Sequence, residues 1–244
     1  VLSALVTASA ILAASFGAAA EGRCRAMVHD ALRYTVCTVE PREDTIVLRL
    51  RGADGRPFGG LGAVARALDA EGRTLRFAMN AGMYHRTGLP VGLYVEDREV
   101  AAPLVTGGGP GNFHLRPNGV FWLKDGRPHV EETRAFAAAR RRPDFATQSG
   151  PMLVIDGALH PRFLADSTSA KIRNGVGVTA EGVAHFVISD DRVTFHAFAR
   201  LFRDALGTPN ALYFDGSISG LYAPAYGRRD DFWPAGPVVA VIAR

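Results

Sequence analysis

Apolar residues in this chain fall mostly into short runs separated by glycine, proline and charged residues. Thr45–Leu50, Leu75–Met79, Val91–Val95, Gly119–Leu123, Met152–Asp156, Ala184–Ser189, Val193–His196, Ala211–Phe214 and Val238–Ala243 are rich in β-branched and aromatic residues and short, which predicts strands. Asp125-Gly126, Asp156-Gly157 and Glu181-Gly182 read as tight turns that close hairpins. Helical periodicity is rarer. Leu61, Val64, Ala65 and Leu68 fall on one helical face and predict a helix over Leu61–Leu68. Phe198, Leu201, Phe202, Ala205 and Leu206 predict a second over Phe198–Leu206, and a third runs through Thr133–Arg141 until Pro143 ends it. Strands and helices do not alternate, which argues against a doubly wound parallel sheet. The pattern predicts an α+β fold: a single domain, a mixed β-sheet and few flanking helices.

Val1–Ala20 breaks this pattern. It carries no charge, is mostly small and aliphatic, and ends Ala18-Ala19-Ala20 before Glu21-Gly22-Arg23. An apolar stretch closed by small residues is what a signal peptidase cuts, and a retained membrane anchor, for which the stretch is just long enough, is the competing reading. The expected organisation is a signal peptide over 1–20 and one globular domain over 21–244. After the cut no integral membrane segment is expected, and the location is periplasmic or secreted. The 244 residues, 48% hydrophobic and 21% charged, are enough to bury a full core. Cys24 and Cys37 make an even count in an exported chain, which predicts one disulfide.

A net charge of +4 raises the question of nucleic acid. All but Lys124 and Lys171 of the 28 basic residues are arginine, the bias of a high-GC genome. They are scattered, apart from Arg140-Arg141-Arg142 and Arg228-Arg229, and form no long stripe with interleaved aromatics. No nucleic-acid partner is expected, while a small anionic ligand remains compatible.

Three segments put polar residues where apolar runs meet glycine: Met79-Asn80-Ala81-Gly82-Met83-Tyr84, Ile172-Arg173-Asn174-Gly175-Val176-Gly177 and Tyr213-Phe214-Asp215-Gly216-Ser217-Ile218-Ser219. A strand ending in a polar residue and a glycine turn aims that side chain into a cleft at the sheet edge. A carboxylate behind Ala211–Phe214 is costly unless paired or used, so Asp215 is the candidate base or nucleophile. Arg173 carries a guanidinium suited to a two-pronged grip on phosphate. Asn80 both donates and accepts, as a sugar hydroxyl or acetamido group requires. Gln148 and Ser149, ahead of Gly150-Pro151, offer similar chemistry. Asn118 is a hairpin-turn residue first and a ligand contact second, and His85 is the histidine closest behind Asn80. Each has a plainer reading: turn residue, surface ion-pair partner, solvated histidine. Thr106-Gly107-Gly108-Gly109-Pro110-Gly111-Asn112 fits neither dinucleotide nor P-loop spacing, yet its backbone N–H groups could face a phosphate. Ser217 and Ser219 lack a Gly-x-Ser-x-Gly elbow. The dispersed histidines give no zinc-ligand spacing, so no metal is assigned, and the sequence names no cofactor.

In order and spacing these segments resemble the phosphodiester glycosidase family. That family shows an early Asn-Gly-Gly-Phe-Phe-like segment, a middle Arg-x-x-x-Gly-like segment and a late Asp-Gly-Gly-x-Ser-like segment. Here they read Asn80-Ala81-Gly82-Met83-Tyr84, Arg173 to Gly177, and Asp215-Gly216-Ser217-Ile218-Ser219. Thr147-Gln148-Ser149-Gly150-Pro151-Met152-Leu153 is similar to the family's Gln-Ser-Gly-Pro segment. The resemblance runs from Arg49 to the C-terminus and is strongest to the family's bacterial periplasmic branch. Ala81 and Ser217 each stand where the family has glycine, and both are expected to add bulk beside the site.

The resemblance implies an exported bacterial hydrolase that cleaves a sugar-1-phosphodiester bond in envelope or polysaccharide material. Asp215, Arg173 and Asn80 would be catalytic. Gln148, Ser149, Asn118, Gly82, Gly216, Ser217, Ser219 and His85 would contact substrate. Ordinary glycosides need two carboxyls, one of them to protonate a poor leaving group. A phosphate monoester leaves far more easily, so one carboxylate and a fixed cation can suffice, and one acid is what stands out here. The alternative is a non-catalytic envelope module that binds anionic glycan.

Overall fold

The computed structural model describes residues 22–231 and 234–244. The expected signal peptide, 1–20, lies outside the described residues. The α+β expectation holds, with the strands divided among three sheets rather than gathered in one mixed sheet. Every ladder among the described residues is antiparallel. The largest sheet runs Cys24–His29, Leu32–Thr38, Ala184–Ser189, Asn174–Val178, Asn210–Asp215, Met152–Ile155, Ala158–Leu159. A second runs Arg228–Arg229, Leu221–Ala223, Leu75–Asn80, Val238–Ala243, Asp44–Arg49. The third runs Glu99–Ala102, Tyr94–Glu96, Phe145–Ser149, Gly119–Lys124, Arg127–Glu132.

One core is shared by all three sheets: Phe77 and Val241, Phe121, and Phe186 and Phe214 meet in it. Each sheet then covers its other face with a helix. Phe195–Arg200, which widens into a π-type turn over Leu201–Ala205, packs Phe198 and Phe202 on Tyr34 and Val187. Leu61–Ala70 packs Leu61, Val64 and Leu68 on Val47 and Ala240, and Thr133–Ala138 packs Phe136 on Val120 and Trp122. Central strands are therefore buried on both faces, which is why Ala211–Phe214 and Val238–Ala243 read as unbroken apolar runs rather than as alternation.

Two expected strands change. Val91–Val95 moves to Tyr94–Glu96. Val193–His196 is not a strand: Val193 makes one bridge to Lys171, and Thr194 then caps the helix, its hydroxyl accepting from the Ala197 N–H at 3.1 Å. A β-branched pair ahead of Phe195 looks like strand, but a threonine with a free N–H three residues on is also a helix start. The helix therefore begins at Phe195, ahead of the expected Phe198. The three acidic-glycine turns fall between paired strands as expected. Cys24 and Cys37 face each other across the first hairpin and form the expected disulfide.

The end of the Asn210–Asp215 strand is irregular. Asn174 pairs with Asp215, but Gly175 pairs with Tyr213, so Phe214 is an extra, unopposed residue. Such a bulge re-aims the side chain that follows it. It points Asp215 out of the sheet end, where loops from the other two sheets meet it.

Candidate active site

Asp215 lines an open cavity of about 700 Å3, within the ordinary size range of small-molecule sites. The carboxylate is buried, at 8% exposure. Its Oδ1 accepts from the Gly216 and Ser217 N–H groups at 2.6 and 2.7 Å. No described cation forms an ion pair with it, and the Lys171 charge acts on it only from beyond ion-pair distance. Burial pushes its pKa up, and the backbone N–H groups of Ser217, Gly216 and Ile218 pull partly the other way. Gly216 permits this turn to sit where it does, because a Cβ there would run into the Tyr213 hydroxyl.

Asn80 and Asp215 converge, through a residue the sequence reading passed over. The Asn174 Nδ2 donates to the Asn80 Oδ1 at 2.9 Å and to its carbonyl at 3.0 Å, while the Asn174 Oδ1 accepts the Asp215 N–H at 3.1 Å. The Asn80 Nδ2 donates to the Ile218 carbonyl at 2.8 Å, and its Oδ1 also accepts the Gly220 N–H at 2.9 Å. Both lone pairs and both hydrogens of Asn80 are thus engaged, the second hydrogen donated weakly from Nδ2 to the Asn174 Oδ1 at 3.5 Å. Ser219 adds a bond from its hydroxyl to the Asp215 carbonyl at 3.0 Å. These amides clamp the 215–220 turn from beneath. The signal was available: Asn174 is the neighbour of Arg173, in a segment already singled out.

Arg173 lies behind the site. It is 1% exposed. Its Nε donates to the Val193 carbonyl at 2.9 Å, Nη2 to the Ser169 carbonyl at 3.0 Å and Nη1 to the Tyr213 hydroxyl at 3.3 Å. The guanidinium lies 3.7 Å from the Phe195 ring centroid. Burial pulls its pKa down. It supports the Tyr213–Gly216 corner and does not line the Asp215 cavity.

Gln148 and Ser149 are likewise occupied. The Gln148 Oε1 accepts from Leu93 and Val105 N–H groups, each at 3.0 Å, and its Nε2 donates to the Val105 carbonyl and the Thr133 hydroxyl. The Ser149 hydroxyl donates to the Phe214 carbonyl at 2.9 Å. Asn118 donates to the Phe113 carbonyl at 2.9 Å, fixing a loop that does reach the cavity. Gly82 has φ +128°, a backbone role. Ala81 points into the central core, so it adds no bulk to the cavity, whereas Ser217 does line it.

The cavity wall is built mostly of other residues. His85 lines it, joined by Tyr84, Arg86, Asn112, Phe113 and His114. The end of the glycine-rich loop, Pro110-Gly111-Asn112, forms part of the rim. Tyr84 donates its hydroxyl to the Pro234 carbonyl, and burial together with the Asp215 charge raises its pKa to about 12. The wall thus opposes one carboxylate with Arg86 and two imidazoles. Among the described residues no cluster of His, Cys, Asp and Glu could hold a metal ion.

The sequence model of the family described as phosphodiester glycosidase matches residues 73–239, the stretch that carries all of these site residues. An uncharacterised Escherichia coli K12 protein, YigE, is 34% identical over 197 residues, covering 81% of this chain and 77% of its own length. The zebrafish N-acetylglucosamine-1-phosphodiester alpha-N-acetylglucosaminidase catalytic domain, auto-inhibited by its pro-peptide, superposes with a TM-score of 0.61 at 15% identity, over 91% of this chain and 81% of that one. A hypothetical protein from Synechocystis superposes with a TM-score of 0.58 at 14% identity, over 91% of this chain and 61% of that one. The fold is shared with these structures, and by its sequence the chain belongs to the phosphodiester glycosidase family.

Proposed function

We propose that the protein is an exported hydrolase that cleaves the bond between a sugar's anomeric carbon and a phosphodiester in envelope or polysaccharide material. The observation that carries this reading is the Asp215 carboxylate, buried, without a cationic partner among the described residues, and standing on the floor of a cavity. A group kept in that state is poised to act as base or nucleophile. The zebrafish protein of the same fold is named for this kind of reaction. The Cys24–Cys37 disulfide supports an oxidising compartment.

In this reading Asp215 works at the anomeric carbon, activating water or attacking directly. Either role needs it ionised. The departing phosphate faces Arg86, whose guanidinium supplies positive charge where the negative charge collects, with the His85 and His114 rings beside it as hydrogen-bond partners. Arg173, Asn80 and Asn174 act through the turn they hold. The test is release of free sugar from a panel of sugar-1-phosphodiesters by the 21–244 protein, against matched neutral glycosides. Turnover of the diesters alone is expected, and turnover of the neutral glycosides at equal rate would overturn the assignment. The non-catalytic glycan-binding module stays the second reading because the Ser217 side chain stands in the cavity beside Asp215. Binding of the diester without release, across the panel, would establish it.

A further inference from the structure

Ile218 separates two spaces. On one side is the Asp215 cavity, and on the other is a chamber of about 220 Å3 walled by Leu61, Ala235, Asn80 and the Ser219-Gly220 turn, with Arg228 and Asp230. That is room for about seven waters, the scale of one sugar ring.

The chamber's polar groups are fixed but not used up. The Arg228 Nε donates to the Asp230 Oδ2 at 2.6 Å, and Nη1 donates to the Thr35 hydroxyl at 3.0 Å and pairs with Asp190. Among the described residues Nη2 has no partner. The Asp230 Oδ2 also accepts the Leu221 N–H at 3.2 Å, while Oδ1 accepts nothing from the described residues. One donor nitrogen and one acceptor oxygen, on side chains locked to each other, therefore remain free among the described residues. Asn80 shapes the wall but has no hydrogen-bonding capacity left.

We propose that this chamber is a glycosyl subsite, in which Arg228 Nη2 and Asp230 Oδ1 read hydroxyl groups of the sugar and Ile218 sets the width of the passage. Three features support it. Arg228 already has two carboxylates, so it offers no net positive charge to a phosphate. A rigid donor beside a rigid acceptor suits groups that both donate and accept, as neighbouring sugar hydroxyls do. Leu61 and Ala235 supply apolar surface for the C–H face of a ring. Charge is thereby sorted across Ile218: the anionic half of the substrate lies toward Arg86, the neutral half toward Arg228, and Asp215 stands beside the partition. The identification of the occupant as sugar rests on the hydrolase reading above.

The test is calorimetric titration of the 21–244 protein with inorganic phosphate and with methyl pyranosides of gluco, galacto and manno configuration and their 2-acetamido forms. Wild type, Ile218→Trp and Asp230→Asn are compared, with circular dichroism to confirm folding. At least one pyranoside should bind wild type. Its affinity should fall about tenfold or more in each variant, the value of one charged hydrogen bond or of a blocked chamber, while phosphate affinity changes less than about twofold. If no pyranoside binds, if both variants bind it as wild type does, or if phosphate weakens in parallel, the subsite is wrong. A protein that shows the expected pattern yet releases no sugar from any diester sinks the hydrolase reading and leaves the subsite standing. Release with a KM unmoved by Ile218→Trp does the reverse.

Discussion

Two polar regions adjoin at the end of the Asn210–Asp215 strand, and they are built on opposite terms. Beneath the turn, Asn80, Asn174, Gln148, Ser149 and Arg173 spend their hydrogen bonds on one another, on backbone and on the Thr133 and Tyr213 hydroxyls. Above it, the cavity holds Asp215, Tyr84, His85, Arg86 and His114, and among the described residues its carboxylate is hydrogen-bonded only by backbone N–H groups. The difference separates support from chemistry. A saturated amide has nothing to offer a ligand, whereas a desolvated and unpaired acid is unstable where it stands and reactive for the same reason.

The largest effect that would test this division is at Asp215. Asp215→Asn should lower turnover by roughly 10²–10⁴-fold. It should not destabilise the fold at neutral pH. Burial raises the folded-state pKa, so the folded protein prefers the neutral acid. Ionisation therefore costs stability, beginning as pH rises through the unfolded value of about 3.9 and complete above the folded one. The melting temperature of the variant should meet or exceed that of wild type, with the gap opening as pH rises through that window. A lower value at pH 7 would mean that the carboxylate belongs to the supporting region. The same shift moves the acid limb of the kcat/KM profile upward from the ordinary aspartate value.

Arg173 and Arg86 should separate cleanly. Arg173→Lys gives up the fork that reaches Val193, Ser169 and Tyr213, and should lose about 1.5–3 kcal/mol of stability in urea unfolding. Arg86→Gln should leave unfolding within about 0.5 kcal/mol of wild type and raise KM for the diester about tenfold or more, the worth of one charged hydrogen bond. Exchanged outcomes would place Arg173 on the substrate after all. Asn174→Ala, at the small end, leaves the Asp215 N–H without its side-chain acceptor and should cost about 1–3 kcal/mol. A variant of wild-type stability but lost activity would make Asn174 a ligand contact.

The sequence carried much of the fold because strand and helix periods are local. Leu61–Leu68 and Val238–Ala243 appear nearly as expected. Val193–His196 failed because the helix cap at Thr194 and a β-branched strand look alike over four residues. The site was legible in its centre, since an acid ending an apolar run is unusual wherever it occurs. Its walls were not. Tyr84, Arg86 and His114 come from loops whose meeting is set by which sheets pack together; their neighbours Asn80, His85 and the glycine-rich loop stood out, but nothing in the sequence says that these three side chains turn to one cavity. Spacing also placed Asn80 and Arg173 near Asp215, but could not say whether their polar atoms were already taken.

The extra residue at Phe214 acts as a parity bit. A strand counts its faces in twos, and Leu212 and Phe214 face the common core while Tyr213 faces the helix side. Remove Phe214 and every side chain beyond it changes sign, which would turn the Asp215 carboxylate toward Phe121 and Phe186. The address of the acid is thus written in the count of residues as well as in their kinds. A drifting lineage could replace much of the cavity wall one residue at a time, but a single-codon deletion here would erase the site in one step.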